Sequence, residues 1–157
     1  MDVDYPSADG TFAAIHFEAD HIDVDEMNSL FGREHCIFHN KGDLLDDTSG
    51  FFWKCDYDTW QLKSEPAVDS LDLRHHVDWL EAQITPRLSK LREIANRPSA
   101  RKLVVRCYWW STEGHGGPAL WPKQLLWLSQ SNLPCEFRFY FSTDGRNDFR
   151  VSMKAKN

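Results

Sequence analysis

Several short segments of the chain alternate hydrophobic and polar side chains, as strands with one buried face do. In residues 102–111 one set of alternate positions is Leu103, Val105, Cys107 and Trp109, and the other is Val104, Arg106, Tyr108 and Trp110. The same pattern predicts strands over residues 11–19 and 135–141, a strand bent near Asp58 over 51–64, and a short one over 34–39. A turn at Asp144-Gly145 precedes a last predicted strand, paired with 135–141 and carrying Phe149, Val151 and Met153.

The longest predicted element is a helix, because apolar residues recur at spacings of three and four between positions 73 and 95. The repeating positions are Leu73, Val77, Leu80, Ile84, Leu88, Leu91 and Ala95. Pro86 lies inside this segment and has no backbone N–H, so we expect a kink or break there. The apolar line is expected to pack on a sheet face made of Leu103, Val105, Cys107, Phe137 and Phe139. The polar positions off that line, expected to tolerate alanine, are Arg74, Asp78, Glu81 and Lys90.

Two shorter helices complete the predicted elements. Asp23 and Glu26 have the spacing of a capping box, and Gly32 would end the helix that they begin. Another helix would begin at Pro122, where a missing N–H costs nothing, and end at Asn132. The apolar side of this later helix is expected to be Leu125, Leu126 and Leu128.

The predicted order of elements is β-α-β-β-α-β-α-β-β. This order and the length of the chain favour a single α+β domain over residues 1–157, with residues 1–10 flexible. The turns favour antiparallel neighbours. We therefore predict a mainly antiparallel, ferredoxin-like sheet with the long helix packed on one face.

The composition argues against a disordered, secreted or membrane-spanning protein. The chain is 41% hydrophobic and 13% aromatic, which is not typical of a disordered protein. Its first residues lack the features of a signal peptide, and no apolar run is long enough to span a membrane. The four cysteines are widely spaced, which favours free thiols in a cytoplasmic protein over a disulfide framework.

The charges are unevenly distributed along the chain. Residues 1–72 contain 17 acidic and 4 basic residues, a net charge of −13, whereas residues 73–157 contain 7 acidic and 14 basic residues, a net charge of +7. The two halves could attract each other within one fold. Alternatively, the acidic half could form a surface that steers a basic partner toward it. The overall charge of −6 argues against nucleic acid as that partner.

A glycine-rich loop between the strand at 102–111 and the helix at Pro122 carries a family resemblance. The matching residues include Cys107-Tyr108-Trp109, Ser111, Gly114, Gly116-Gly117-Pro118, Leu120, Pro122 and Leu125, with Gly42-Asp43, Trp60, His75, Trp79-Leu80 and Pro86 upstream. In these residues the chain resembles the bacterial domain of unknown function 4279, from about Phe12 to Phe141. The resemblance implies a fold but no agreed chemistry. Trp121 departs from it, because the family carries a small hydroxyl residue there that would cap the helix.

No group of residues has the pattern of a catalytic or cofactor site. His35, Cys36 and His39 could bind zinc, but a closed site needs a fourth ligand, and on a strand Cys36 faces away from both histidines. Ser111 and His115 form no more than a weak nucleophile–base pair. The sequence therefore predicts no catalytic residue, no metal and no cofactor.

Two functional hypotheses follow from the charges and the loop. The first is a non-enzymatic intracellular binding protein, of the immunity type that neutralises a toxin, whose acidic surface binds a basic protein. Its partner-binding residues would be Asp43, Asp46, Asp47, Asp56 and Asp58. The alternative is a sensor of small molecules or anions, since loop N–H groups beside an aromatic strand could hold a planar anion. Its ligand-binding residues would be Tyr108, Trp110, Ser111, Gly114, Gly116 and Gly117.

Overall fold

A five-stranded sheet forms the centre of the protein in a computed structural model that describes residues 8–46, 52–65, 67–112 and 116–141. In chain order the strands are β1 Gly10–Ala19, β2 Cys36–His39, β3 Leu44–Asp46, β4 Phe52–Lys54, β5 Asp58–Lys63, β6 Ala100–Ser111 and β7 Cys135–Phe141. The helices are α1 Val24–Phe31, α2 Leu73–Ile84, α3 Leu88–Ala95 and α4 Pro122–Ser131, with a 3-10 turn at Thr85–Arg87 between α2 and α3. No helix among the described residues is long and apolar enough to cross a membrane.

The sheet is mixed, with the strand order β2-β5-β1-β6-β7. Strand β1 is antiparallel to both of its neighbours, and β2 is antiparallel to β5. Strands β6 and β7 are parallel, because α4 carries the chain back to the end of the sheet where β6 began. An α+β domain is thus confirmed, although its sheet is mixed. Strands β3 and β4 pair with each other in a separate hairpin.

The predicted alternation places one face of the sheet in the hydrophobic core. On β1 the buried residues of this face are Ala13, Ile15, Phe17 and Ala19, and on β5 they are Trp60 and Leu62. Val105 and Cys107 of β6 pair with Ile15 and Ala13 of β1, so they lie on the same face. Helix α2 packs on β1 and helix α3 packs on β6, which closes the core from one side.

The segment predicted as one long helix is divided at Pro86, which lies in the 3-10 turn between α2 and α3. The break was expected, but an unbroken long helix is not confirmed. The register is confirmed, since Leu73, Val77, Leu80, Ile84 and Leu91 are all at most 1% exposed. Leu88 is partly buried against the same core.

The prediction that Arg74 is exposed is wrong. Its side chain is buried, and its Nε donates to Oδ1 and Oδ2 of Asp72, both at 2.8 Å. The guanidinium also lies 3.9 Å from the ring centroid of Trp121. Burial is possible because a carboxylate neutralises the charge and an aromatic ring covers the guanidinium plane.

The prediction that the apolar face of β7 is buried is also wrong. Phe137 and Phe139 are 42% and 46% exposed. Strand β7 is the last strand of the described sheet, whereas α2 and α3 lie over β1 and β6. Leu125 and Leu126 of α4 are exposed as well, because Trp127 and Leu128 are the residues that this helix turns toward the core.

The segment from 40 to 64 differs from its prediction in detail. The predicted loop contains β3, and the predicted bent strand is two strands, β4 and β5, separated at residues 55–57. Near Asp58, where a bend was predicted, the chain therefore leaves the two-stranded sheet and enters the five-stranded sheet. The predicted last strand over 149–153 lies outside the described residues.

Candidate functional site

Four of the five aspartates of the first hypothesis lie on or beside the β3–β4 hairpin. Asp43 precedes β3, Asp46 is its last residue, Asp56 follows β4, and Asp58 begins β5. Asp47 lies outside the described residues. The hairpin is closed at its base by backbone hydrogen bonds from Gly42 N to Cys55 O at 2.8 Å and from Cys55 N to Asp43 O at 2.9 Å.

Two of these aspartates have structural hydrogen bonds. Asp58 is buried, and its carboxylate accepts the backbone N–H of Ile22 at 3.0 Å and of Lys41 at 2.9 Å. Asp43 accepts the backbone N–H of Asn40 at 2.7 Å. These bonds fix the loop before the hairpin and tie the start of β5 to the connection between β1 and α1. Asp56, in contrast, is exposed.

The hairpin also carries large apolar side chains in solvent. Leu44, Phe52 and Trp53 are 67%, 63% and 45% exposed. Adjacent residues on a strand point to opposite faces, so Phe52 and Trp53 present apolar surface on both sides of the hairpin. The register of the pair puts Leu44 and Phe52 on one face and Trp53 on the other. Exposed apolar side chains bordered by charges are typical of protein-binding surfaces.

Part of the acidic charge in the N-terminal half is paired with basic residues within the fold. Arg101 pairs with Asp20, Arg97 with Glu26 at 2.6 Å, and Arg106 lies 4.0 Å from Glu18. Each pair joins an acid of residues 1–72 to a base of residues 73–157, which supports mutual attraction of the two halves. The segment 41–58 remains acidic in composition, with five aspartates and two lysines.

Tyr108 and Trp110, from the alternative hypothesis, lie on the sheet face opposite the helices. Their ring centroids are 5.9 Å apart, and the planes are almost parallel. Phe12 stacks on Tyr108 at 4.3 Å, and Tyr140 stacks on Trp110 at 5.1 Å. The four rings therefore form one column across β1, β6 and β7. Burial raises the pKa of the Tyr108 hydroxyl, so this group is a neutral donor at physiological pH.

The other residues of the alternative site do not join this column. Ser111 points to the opposite face and is 1% exposed, with no hydrogen-bond partner for its Oγ among the described residues. Gly116 has φ 84°, a left-handed conformation that favours glycine. A Cβ on Gly117 would lie 3.9 Å from the ring of Phe139. Gly114 lies outside the described residues.

A row of exposed phenylalanines on β7 was not predicted as a surface. Phe137, Phe139 and Phe141 stack along the strand with centroids 6.2 and 6.3 Å apart. The alternation in the sequence located this face correctly. It could not show that the face lies beyond the helices, because that depends on the strand order.

The candidate zinc ligands have other contacts. The ring of His35 packs edge-on against Trp79 at 5.3 Å, and burial raises the pKa of the Cys36 thiol to about 11. A thiol with so high a pKa is protonated at neutral pH, whereas the thiolate is the form that binds a metal. Within the described ranges, no three His, Cys, Asp or Glu side chains are grouped as a metal site would require.

Comparison with known protein families identifies one that matches most of the chain. The model of a domain of unknown function, DUF4279, matches residues 9–142. The chain belongs to the DUF4279 family. No curated protein and no solved structure matches it.

Trp121 gives α4 no hydrogen-bonding cap in this DUF4279 protein, and Gln124 holds the start of the helix instead. The side chain of Gln124, three residues into the turn, accepts the backbone N–H of Trp121 at 3.0 Å. Its amide nitrogen donates to Oδ1 of Asp78 on α2 at 2.7 Å. Gln124 therefore ties α4 to α2, while the Trp121 ring covers Arg74.

Proposed function

We propose that this DUF4279 protein is a non-enzymatic protein-binding domain whose partner docks on the β3–β4 hairpin. The observation that carries this proposal is the exposure of Leu44, Phe52 and Trp53 on a hairpin outside the main sheet. Aromatic side chains dominate the energetics of binding surfaces, because they bury a large area with few rotatable bonds. A two-stranded hairpin is also marginally stable by itself, so a partner would complete its burial.

The charge of the segment indicates what the partner offers. Residues 41–58 have a net charge of −3, and Asp56 is exposed beside the aromatic residues. A partner with basic groups around an apolar patch fits this surface, and complementary charges would increase its association rate. A toxin neutralised by an immunity-type protein is a partner of this kind. The four cysteines are all thiols, which supports a location in the reducing cytoplasm.

The first test is binding to the product of the adjacent gene, compared between the natural protein and two variants. Asp56→Lys should reduce the association rate and make it less sensitive to salt, because a favourable charge becomes repulsive. Phe52→Ser should mainly increase the dissociation rate. Binding that survives both changes, together with charge reversal of Asp46 and Asp47, would exclude the hairpin as the docking surface.

A second candidate function uses the column of Phe12, Tyr108, Trp110 and Tyr140. Tyr140 is 38% exposed at one end of the column, and Arg138 lies two residues away on the same face of β7. A planar anion could stack on Tyr140 and pair with Arg138. Tryptophan fluorescence during titration with nucleotides would detect it, and Tyr140→Leu should abolish the response. Gly116→Ala is a poorer test, because the left-handed backbone strains alanine there with or without a ligand.

We also infer that the antiparallel strands form a ferredoxin-like core. The order β6-β1-β5-β2, with α1 between β1 and β2 and α2–α3 between β5 and β6, supports this inference. Strand β7 would then be an addition at the β6 edge. An experimental structure in which these four strands have a different order would reject this inference.

A further inference from the structure

Two cysteines that are distant in sequence meet on neighbouring strands. Cys107 lies in the middle of β6, and Cys135 is the first residue of β7. Their Sγ atoms are 3.8 Å apart, although 28 residues separate them along the chain. A disulfide needs a sulfur–sulfur distance of about 2.05 Å, so the two atoms would have to approach by slightly less than 2 Å.

The two thiols are in different surroundings. Cys107 is 1% exposed and belongs to the core, whereas Cys135 is only partly buried at the beginning of the last described strand. The contact between the two thiols lowers the pKa of Cys135 and raises the pKa of Cys107. Burial raises the pKa of Cys36 to about 11 and also raises that of Cys55. Cys135 is therefore the thiol that ionises first, and it is less buried than Cys107.

We propose that Cys135 and Cys107 form a redox site, in which a peroxide oxidises Cys135 and Cys107 then closes a disulfide with it. An accessible cysteine beside a second cysteine that resolves its oxidised form is the arrangement found in redox sensors. This inference is independent of the hairpin and of the proposed partner.

The chemistry balances with hydrogen peroxide as the only oxidant. The Cys135 thiolate attacks one peroxide oxygen, so an S–O bond forms and the O–O bond breaks. The departing hydroxide takes up a proton and becomes water, and Cys135 is left as a sulfenic acid. The Cys107 sulfur then attacks the Cys135 sulfur, so the S–S bond forms and the S–O bond breaks. The Cys107 proton leaves with the hydroxide as a second water.

The remaining approach of the two sulfurs depends on how the start of β7 is held. In the described sheet β7 is bonded to β6, and the backbone before Cys135 is held there because the carbonyl of Pro134 accepts the N–H of Val105 at 2.9 Å. The remaining approach therefore has to come from rotation of the two side chains about their Cα–Cβ bonds rather than from movement of the strand. Turning both side chains out of their present positions would strain the disulfide, and a strained disulfide is readily reduced again.

The test is mass spectrometry of the full chain after exposure to hydrogen peroxide at stoichiometric concentration. We expect the loss of two hydrogens, a Cys107–Cys135 peptide in the digest, and recovery of both thiols with dithiothreitol. Cys135→Ser should abolish this disulfide. Cys107→Ser should leave Cys135 as a sulfenic acid that dimedone traps, a signature that a purely structural cysteine would not give.

Cys36→Ser and Cys55→Ser serve as matched controls, and both should leave the disulfide unchanged. If Cys107→Ser does not fold, the rate of alkylation of the natural protein supplies the second measurement, with Cys135 expected to react first. A disulfide that contains Cys36 or Cys55 would overturn the proposal. So would oxidation of Cys135 to sulfinic acid without any disulfide, because Cys107 would then not be the resolving thiol.

Discussion

At the scale of single residues, Arg74 shows why an amphipathic pattern can misplace a charged side chain. The helical spacing puts Arg74 beside Leu73 and off the apolar line, where arginine is usually exposed. Its burial depends on Asp72, the N-cap of α2, and on Trp121 in a distant loop. A pattern confined to one helix contains no information about Trp121. The sequence therefore predicts the helix but not the partner of its first charged residue.

Arg74→Ala should destabilise the protein by about 3 kcal/mol, because it leaves the carboxylate of Asp72 buried without its counter-charge. The free energy of unfolding in urea measures this loss. Glu81→Ala, at a partly exposed position on the same helix, is the control and should change stability by less than about 0.5 kcal/mol. Equal, small effects for both variants would show that Arg74 is as exposed as the sequence pattern suggested.

Glu136 gives the protein a predictable sensitivity to acid. A hydrogen bond from Lys102 at 2.5 Å, with Arg106 at 3.0 Å, lowers the pKa of Glu136 to about 2. Because the pKa is lower in the folded state, the carboxylate stabilises the fold above pH 4.5 and less as the pH falls toward 2. Glu136→Gln should cost about 1 kcal/mol at pH 7 and almost nothing near pH 2, as measured by unfolding at each pH. A difference from the natural protein that does not change with pH would contradict this account.

At the scale of elements, the apolar line of α2 is the most reliable sequence-based prediction. Leu80→Ala should cost about 2–5 kcal/mol, since Leu80 is fully buried and its removal leaves a cavity in the core. Leu126→Ala removes the same atoms from a side chain that is 57% exposed, so it is a matched control. That control should stay within about 0.5 kcal/mol. Comparable costs at both positions would contradict the burial of α2 described here.

The sequence predicts where the main strands lie, but it does not predict which of their faces are buried. Alternation identified β1, β6 and β7 and the two faces of each, because side chains on a strand necessarily switch sides. It predicted the same burial for Phe137 as for Val105, yet only Val105 is buried. The difference arises from the order of strands in the sheet, and this order depends on contacts between residues far apart in the chain. The hairpin was missed for a related reason, since three-residue strands are too short to show a period.

At the scale of the whole molecule, the uneven charge of the sequence proved to be partly an internal feature. Ion pairs such as Glu26–Arg97 and Asp20–Arg101 join the acidic and basic halves across the fold. The sequence is compatible both with attraction between the two halves and with an acidic binding surface. The two cannot be distinguished without knowing which charged side chains pair in the fold. Among the described residues of the N-terminal half, the acidic charge of segment 41–58 occurs together with the exposed rings of Phe52 and Trp53.

The most direct test of the proposed function is the dissociation constant of the complex with the adjacent gene product, measured for two double variants. Phe52→Ser with Trp53→Ser removes the exposed rings of the hairpin, and Leu125→Ser with Leu126→Ser removes similar apolar area from α4. We predict that the hairpin variant raises the dissociation constant about 30-fold or more, the effect of losing at least 2 kcal/mol at a binding hot spot, while the α4 variant changes it less than about threefold. Equal affinities for the natural protein and the hairpin variant, with both folded, would contradict docking on the hairpin.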